Sequence, residues 1–293
     1  MSSMNPKTAD WYGGQYGGIL GERVGNIFYV DGTNGADTND GLTPTNAFLT
    51  ITAAMVPCVA GNDDYIFIQG YPGDAGEAAW PIPVVKSKIH FIGTTQQASP
   101  SPLINAPADT ACFELAATAG NIEIAGLEMA AGATAACIVN SGVVWKAHIH
   151  HNDFGWQTGA RDGILLTGAV DPPHWYIHDN RFGLGITRNG IRMEHNSTRT
   201  VIKNNLFNVV AAAVGVHLEG LCTGHIFILD NYFLVPDAAA GEAITTSATA
   251  LGLAAGNVAA EGKAALGNIP WTDGGAFSWG NNMGSLGVTQ MPA

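Results

Sequence analysis

Two pairs of ionisable side chains recur at a fixed spacing in the middle of the chain. Arg192 and Glu194 are followed 25 residues later by His217 and Glu219. If the chain repeats with this period, Arg192 lies beside His217 and Glu194 beside Glu219, about 5 Å apart. Two carboxylates about 5 to 9.5 Å apart can cleave a glycosidic bond, and a base beside an arginine can support β-elimination. These four residues are therefore the candidates for catalysis.

A second row of polar side chains follows the same repeat. His150, His178 and Lys203 take the same outward position in consecutive repeats. With Arg192 and His217 they outline a face for a ligand or a protein partner. Stacked charged rows are more often solvated or paired across an interface than catalytic. We therefore favour a contact face over an active site.

The elements that position these residues follow from the repeat Ile-x-x-Asn-x-Phe. Successive asparagines are 28, 25 and 26 residues apart. The copies contain Ile149, Asn152 and Phe154; Ile177, Asn180 and Phe182; Ile202, Asn205 and Phe207; and Ile228, Asn231 and Phe233, after an apolar copy at Ile124, Leu127 and Met129. A second apolar series with paired residues two positions apart runs in step and marks short strands. Strands that return every 25 residues stack in parallel, about 4.8 Å apart. The repeat predicts a parallel β-helix, whereas a β-sandwich gives no reason for the same residues to return.

The repeat also assigns positions to its residues. We expect the isoleucines and the phenylalanines to form two buried columns on one inner surface. We expect the asparagines to form a third column at a turn, where Asn can take left-handed geometry and stacked amides can bond each other.

The chain divides into four segments by composition. Residues 1–26 are predicted to be an extended N-terminal arm, 27–83 an N-terminal cap, 84–247 the β-helix rungs, and 248–293 a C-terminal capping or docking segment with a short helix from Asn257. The arm and tail aromatics are expected to anchor the chain to a partner: Trp11, Tyr12, Tyr16, Trp271 and Trp279. These aromatics, with the apolar run Val209–Val214, predict a homo-oligomer, with a trimer favoured, or attachment to a larger shell.

Composition excludes several classes of protein. Charged residues make up 12% of the chain and hydrophobic residues 46%, which excludes a disordered chain. The net charge of −12, with only 12 Lys and Arg, argues against a nucleic-acid partner. No stretch reaches the roughly 20 apolar residues that span a bilayer, so we expect no membrane partner. The N-terminus lacks a signal-peptide pattern, which predicts synthesis in the cytoplasm.

One loop concentrates oxygen-bearing side chains of the kind that calcium binds: Asp31, Asn34, Asp37, Asn39 and Asp40. It lacks the Gly and Glu that an EF-hand needs at its sixth and twelfth positions, where Ala36 and Leu42 stand. A turn held by Asx hydrogen bonds is the favoured explanation, with structural calcium as the alternative. No other cofactor is expected.

Residues 27–70 resemble the N-terminal cap of the pectate-lyase-like superfamily. The matching elements are Tyr29-Val30-Asp31, Asn39-Asp40-Gly41, Pro44, Ala47-Phe48, Thr50-Ile51, Ala54 and the strand from Asp64 to Gln69. The resemblance implies an all-β, right-handed parallel β-helix solenoid with an N-terminal cap and a C-terminal capping segment. The superfamily includes polysaccharide lyases, glycoside hydrolases and bacteriophage tailspikes, so fold alone does not select a function.

The missing signal peptide and the aromatic arm look more like the virion members of the superfamily. Hydrolase segments of the family, such as Gly-His-Gly and Asp-Asp on the rungs, are not found here. We therefore expect a non-enzymatic structural protein of a bacteriophage-like virion, such as a capsid decoration, fibre or spike, with capsid or tail proteins as partners. The alternative is a polysaccharide-binding or polysaccharide-cleaving β-helix, a lyase or hydrolase, that contacts a surface glycan. The expected location is the virion, with secretion as the alternative.

Overall fold

The computed structural model describes residues 25–70, 77, 79–94, 101–155, 160–167, 174–194, 199–210, 213–220, 222–235, 241–260 and 271–283. The arm residues Trp11, Tyr12 and Tyr16 lie outside this range. Within it, the strands form three sheets, here called A, B and C. Every strand pairs in parallel with its neighbours, from the first strands of the chain to the last. The predicted parallel β-helix is confirmed.

From β4 (Ile89–Gly93) onward, successive strands belong to sheets A, C and B in turn. Sheet A contains β1 (Ile27–Asp31), β2 (Asp64–Gln69), β4 (Ile89–Gly93), β7 (Ile122–Ala125), β10 (Ala147–His150), β13 (Tyr176–His178), β16 (Thr200–Lys203), β19 (His225–Leu229), β22 (Leu251–Ala255) and β25 (Ser278–Gly280). Sheet B contains β3 (Ile82–Val84), β6 (Phe113–Leu115), β9 (Ala136–Asn140), β12 (Ala160–Leu166), β15 (Ile186–Met193), β18 (Val214–Leu218), β21 (Glu242–Thr246) and β24 (Trp271–Thr272). Sheet C contains β5 (Leu103–Asn105), β8 (Glu128–Ala130), β11 (Asp153–Phe154), β14 (Arg181–Phe182), β17 (Leu206–Asn208), β20 (Tyr232–Leu234) and β23 (Val258–Ala260).

The phenylalanines of sheet C form the predicted inner column. Phe154, Phe182, Phe207 and Phe233 are buried, and neighbouring ring centroids lie 4.9, 4.5 and 4.7 Å apart with nearly parallel planes. The isoleucines of the repeat are paired in register across sheet A and are fully buried. Both columns therefore lie in one core, as the repeat predicts.

The asparagines lie between sheets A and C and form a hydrogen-bonded ladder. The Asn180 amide nitrogen donates to Asn205 Oδ1 at 3.0 Å, and Asn205 repeats this contact to Asn231. The ladder continues beyond the predicted residues to Asn257 and Asn282. At its start, Leu127 of the apolar copy donates its backbone N–H to Asn152.

The left-handed residue of this turn is not the asparagine. Positive φ angles belong to the residue before it, as at His151 (55°), Asp179 (52°) and Asn204 (54°). The amide of each ladder asparagine is needed along the axis, so the chain reverses one residue earlier. The prediction of left-handed asparagines in the repeat is thus wrong. The left-handed residue before each asparagine is instead directed outward, as at His151 and Asp179.

A glycine column in sheet B accommodates the phenylalanines. A Cβ on Gly163, Gly190 or Gly215 would lie 2.5 to 2.6 Å from a ring carbon of the phenylalanine in the following rung. At these rungs, the core between sheets B and C is therefore one phenylalanine ring thick.

The N-terminal end carries the short helical elements. A 3-10 turn (Pro44–Asn46) precedes helix α1 (Ile51–Met55), whose first turn is capped by Thr50 accepting from the Ala53 N–H. The buried residues of α1 pack into the core. Sheet A begins within the predicted cap, because β1 pairs with β2 and β2 pairs with β4.

The rungs also extend beyond the predicted boundary at 247. Strands β22 to β25 continue all three sheets. The expected helix from Asn257 is replaced by β23, because the Asn257 side chain continues the ladder instead of capping a helix. Trp271, expected to anchor the chain, is 1% exposed and packs edge-on against Phe233. Trp279 packs against the same core.

Other expectations concern surfaces. Val209 and Ala213 are buried, so they do not supply the apolar patch from which an oligomer was inferred.

All four cysteines are buried free thiols. Among the described residues, no helix is long and apolar enough to cross a membrane.

Candidate functional site

Two outer faces of the β-helix collect ionisable side chains. Because alternate residues of a strand point to opposite sides, burial of Ile191 and Met193 in β15 directs Arg192 outward. The register then sets Arg192 beside His217 of β18. Glu194 and Glu219 follow directly after the two strands. Arg192, Glu194, His217 and Glu219 are called the arginine–glutamate face.

Arg192 joins the two glutamates of this face. Its Nη2 atom lies 3.1 Å from Glu194 Oε1 and 2.6 Å from Glu219 Oε1. His217 Nδ1 is 3.9 Å from the same oxygen of Glu219. Because both carboxylates contact one nitrogen, these two oxygens are at most about 6 Å apart, a limit compatible with the 5–5.5 Å separation of carboxyl groups in retaining glycosidases. All four side chains are between 16% and 30% exposed.

Burial and charge set the protonation of this face. Burial acts to lower the pKa of Arg192, but the hydrogen bond and charge of Glu219, together with Glu194, outweigh it and raise this pKa. Burial and the Arg192 charge lower the pKa of His217 against the opposing effect of Glu219. His217 is thus a neutral imidazole at pH 7, able to accept a proton.

A buried ion pair supports the arginine–glutamate face from one side. Asp162 of β12 is fully buried and accepts from Arg188 Nε at 2.9 Å, from Arg188 Nη2, and from Asn189 Nδ2 at 2.8 Å. The bidentate geometry fixes Arg188 against the sheet. This pair was not predicted from the sequence, although Asp162 and Asn189 take equivalent positions one rung apart.

The second face lies on sheet A. The register stacks His90, Glu123 and His148 in one outward column. His150 and His178 are neighbours in a second column two residues further along the strands. These five residues are called the histidine face.

Glu123 is at the centre of one half of the histidine face. Its Oε2 atom contacts His90 Nδ1 at 2.6 Å, and its Oε1 atom contacts His150 Nε2 at 2.8 Å. Burial acts to raise the pKa of Glu123, but the hydrogen bonds and charges of His150 and His90 outweigh it and hold the pKa well below its usual range. Glu123 is therefore a carboxylate at neutral pH.

His148 and His178 form the other half. Their Nε2 atoms are in direct contact, and the His150 and His178 rings stack with centroids 5.0 Å apart. Burial, with the neighbouring His150 and His178, lowers the pKa of His148 to about 4. Burial also lowers the pKa of His178 against the opposing effect of Asp179. Both rings are neutral at pH 7.

The left-handed turn supplies partners for these rings. Asp179 Oδ2 lies 2.6 Å from His178 Nδ1, and His151 Nδ1 lies 2.8 Å from His150 Nδ1. Aromatic side chains border the face, with Tyr65 stacked on His90 at 4.2 Å and Tyr176 stacked on His178 at 4.0 Å. The rings of the face are thus held in place from several sides.

The structure brings together most of the residues that the sequence singled out. Arg192, Glu194, His217 and Glu219 converge, and His150 and His178 are adjacent. Lys203 stacks on His178 as expected, but its ammonium is directed towards Asp230 at 3.7 Å. The signal that was missed in the sequence is His148, which lies two residues before His150 and 25 residues after Glu123.

In the loop proposed for calcium, the aspartate side chains accept hydrogen bonds from backbone amides. Asp31 Oδ1 accepts from the Thr33 and Asn34 amides, and Asp40 Oδ1 from the Leu42 amide. Asp37 Oδ1 accepts from the amides of residues 49 and 50, and the Asn39 amide donates to a backbone carbonyl. The contacts of Asp31 and Asp40 are Asx-type turns, whereas those of Asp37 and Asn39 tie the loop to residues 47–50. Calcium binding here stays a prediction.

Comparisons with known proteins add one observation. No family model and no curated protein matches the chain. Among solved structures, an alginate lyase from Paenibacillus sp. str. FPU-7 is similar, with a TM-score of 0.47 and 12% sequence identity. The match covers 79% of this chain and 95% of the lyase. At this level the similarity carries no conclusion about residues or activity.

Proposed function

We propose that the protein binds a neutral polysaccharide on its arginine–glutamate face. The observation that carries the proposal is Arg192 held between Glu194 and Glu219 on adjacent rungs, with neutral His217 beside them. Fixed planar donors and acceptors of this kind match the hydroxyl groups of a sugar. A few placed polar groups are what orient a ligand on a largely preformed surface.

The charges of the face favour a neutral glycan over an acidic one. One arginine is shared by two carboxylates, and His217 carries no charge at pH 7. A uronate would meet a surplus of negative charge, whereas sugar hydroxyls can donate to the glutamate oxygens. The net charge of −12 acts in the same direction over longer distances.

Hydrolysis of the bound glycan is the second candidate function. It is favoured by the separation of the two carboxylate oxygens, at most about 6 Å, which suits a retaining pair. Neutral His217 could exchange a proton with a leaving group beside this pair. Cleavage was not expected from the sequence, which lacks the family's hydrolase motifs.

Binding and cleavage are separable in one experiment. The full chain would be titrated with soluble neutral glycans and with polyuronates of matched length, and products would be followed by chromatography. We expect binding of a neutral glycan that Arg192→Ala weakens at least tenfold. Arg181→Ala on sheet C is the matched control, since Arg181 lies against Asp153 on another sheet.

The glutamates decide whether the face is also catalytic. Glu194→Gln and Glu219→Gln keep size and shape but remove charge. Loss of oligosaccharide release with retained binding would support hydrolysis. Binding without release in the unaltered chain would limit the function to recognition. Equal binding by the Arg192→Ala and unaltered chains would overturn the proposal.

A structural role in a virion is the function that the sequence favoured, and no contact or comparison described above supports it over glycan binding. The predicted homo-oligomer and the capsid or tail partner are independent of the arginine–glutamate face. Light scattering of the purified chain tests the oligomer, and an electron micrograph of the native assembly tests the virion role. Both stay predictions.

A further inference from the structure

Three consecutive strands of sheet A bring metal-binding atoms together. Glu123 comes from β7, His148 and His150 from β10, and His178 from β13. The ligand atoms of Glu123, His148 and His150 all lie within 4.8 Å of one another. His178 Nε2 meets His148 Nε2 directly. Three ligands that fit one ion, and a fourth in contact with His148, thus come from three successive rungs.

The chemistry of this set suits a first-row transition metal. Imidazole nitrogen is a ligand for zinc, copper, nickel and iron, and a carboxylate can complete the set. In a tetrahedral Zn²⁺ centre with bonds of about 2.1 Å, neighbouring ligand atoms are about 3.4 Å apart. Glu123 Oε1 and His150 Nε2, now 2.8 Å apart, would need to separate by about 0.6 Å, and the His148 and His178 nitrogens by more. Binding therefore requires the side chains to rotate apart.

The surrounding residues prepare the ligands. Asp179 Oδ2 accepts from His178 Nδ1 at 2.6 Å, so the free electron pair of His178 is on Nε2, directed at His148. A carboxylate behind a metal-bound histidine is the usual outer partner in such sites. His90 contacts the far oxygen of Glu123 at 2.6 Å and orients the carboxylate in the same way.

Binding of an ion would also replace the close nitrogen–nitrogen contact of His148 and His178 by two bonds to a cation. Lys203, the next residue in the column, turns towards Asp230 and so leaves the region free of a competing ammonium.

We propose that Glu123, His148, His150 and His178 bind a divalent transition-metal ion, of which Zn²⁺ is the best fit, with Asp179 and His90 as positioning residues. The ion would join three successive rungs of sheet A. This site is on a different sheet from the arginine–glutamate face and does not depend on the proposed glycan binding.

The test uses the full chain without a histidine tag. Zinc is titrated by calorimetry and by competition with a chromophoric chelator, and Co²⁺ is added to record the absorption of a tetrahedral centre. We expect one ion per chain and a rise in Tm with zinc, because a ligand that binds only the folded state stabilises it. His148→Ala and Glu123→Gln should each reduce the affinity at least 100-fold. Asp179→Asn should reduce it about 10- to 100-fold, as outer-partner changes do.

Matched controls separate the site from other histidines. His225→Ala alters an exposed histidine on sheet A outside the histidine face, and His217→Ala alters sheet B. Both should bind zinc as the unaltered chain does. Circular dichroism would confirm that each variant is folded. No stoichiometric binding at micromolar zinc, or equal binding by folded His148→Ala, would overturn the proposal.

Discussion

At the scale of single residues, the phenylalanine column contributes most to the core of the middle rungs. Phe182 has ring partners on both sides, with centroids 4.9 and 4.5 Å away. Phe182→Ala would leave a cavity that the regular stack cannot close, and we expect a loss of about 3–5 kcal/mol in the free energy of unfolding. Urea denaturation measures it. Leu184→Ala, at a residue that is 66% exposed, is the control and should change stability by less than about 0.5 kcal/mol. Similar losses in the two variants would contradict the buried column.

His217 makes stability depend on pH. Its pKa is lowered in the folded chain below the usual value of 6.5, mainly by burial. Between the folded and unfolded pKa values the unfolded chain binds a proton that the folded chain does not, so stability rises with pH in this window and is fully present above 6.5. We expect His217→Gln to reduce the loss of stability between about pH 7 and pH 5. Urea unfolding at several pH values measures the slope, and parallel profiles for the two proteins would show that His217 is not the group responsible.

At the scale of elements, the asparagine ladder connects sheets A and C through every rung from β10 to β25. Asn205 donates to Ile177 O and to Asn231 Oδ1, and accepts from the Asn180 backbone and side-chain N–H groups, each at about 3.0 Å. Asn205→Leu keeps the branched shape and the number of side-chain heavy atoms, and Leu127 fills the equivalent position at the start of the ladder. It still leaves buried groups unpaired on both sides, and we expect a loss of at least about 3 kcal/mol. Asn208→Ala, outside the ladder, should cost less than about 1 kcal/mol. A neutral Asn205→Leu would mean that the ladder adds nothing to stability.

The glycine column of sheet B allows the close packing to be tested by adding an atom to the core. A Cβ on Gly190 would lie 2.5 Å from a ring carbon of Phe207 and 2.6 Å from the Gly215 carbonyl oxygen. We expect Gly190→Ala to cost about 1–3 kcal/mol, because ring and backbone must both move. A Cβ on Gly220 would meet nothing within 4 Å, so Gly220→Ala is the matched control and should be neutral or slightly stabilising. Equal thermal midpoints for the two variants would contradict the close packing of sheets B and C.

Much of this architecture could be predicted, because residue types that return every 25 to 28 positions must occupy equivalent places. The repeat predicts the isoleucine and phenylalanine columns and the pairing of Arg192 with His217, but not the contact of Arg192 with the two glutamates. It does not yield the left-handed position, since the demand of the ladder on the asparagine amide appears only in three dimensions. It also fails where the repeat loses its phenylalanine, as at Ala259, and there a strand was taken for a helix. Only His150 and His178 of the histidine face could be predicted from the repeat, because Glu123 lies in a rung that lacks the asparagine.

At the scale of the whole molecule, shape and charge decide which ligands can approach. A parallel β-helix presents equivalent positions about every 4.8 Å along its axis. A linear polymer aligned with that axis can contact several rungs at once. The two faces described above are on different sheets, so a metal ion on sheet A and a glycan on sheet B would not compete.

The net charge of −12 leads to a prediction about salt. A polyuronate approaching the arginine–glutamate face is repelled by the two glutamates and by the acidic molecule, and this repulsion extends about 30 Å at 0.01 M salt but only about 8 Å at 0.15 M. We expect a neutral glycan to bind with the same affinity at both concentrations, and any polyuronate binding to strengthen as salt is added. Glu194→Gln with Glu219→Gln should reduce this preference, because the variant removes the nearest negative charges while it keeps Arg192. Affinity electrophoresis or calorimetry at the two salt concentrations measures the effect. A polyuronate that binds more tightly at low salt than at high salt would show that Arg192 acts as a free cation, and the ligand class would then be acidic.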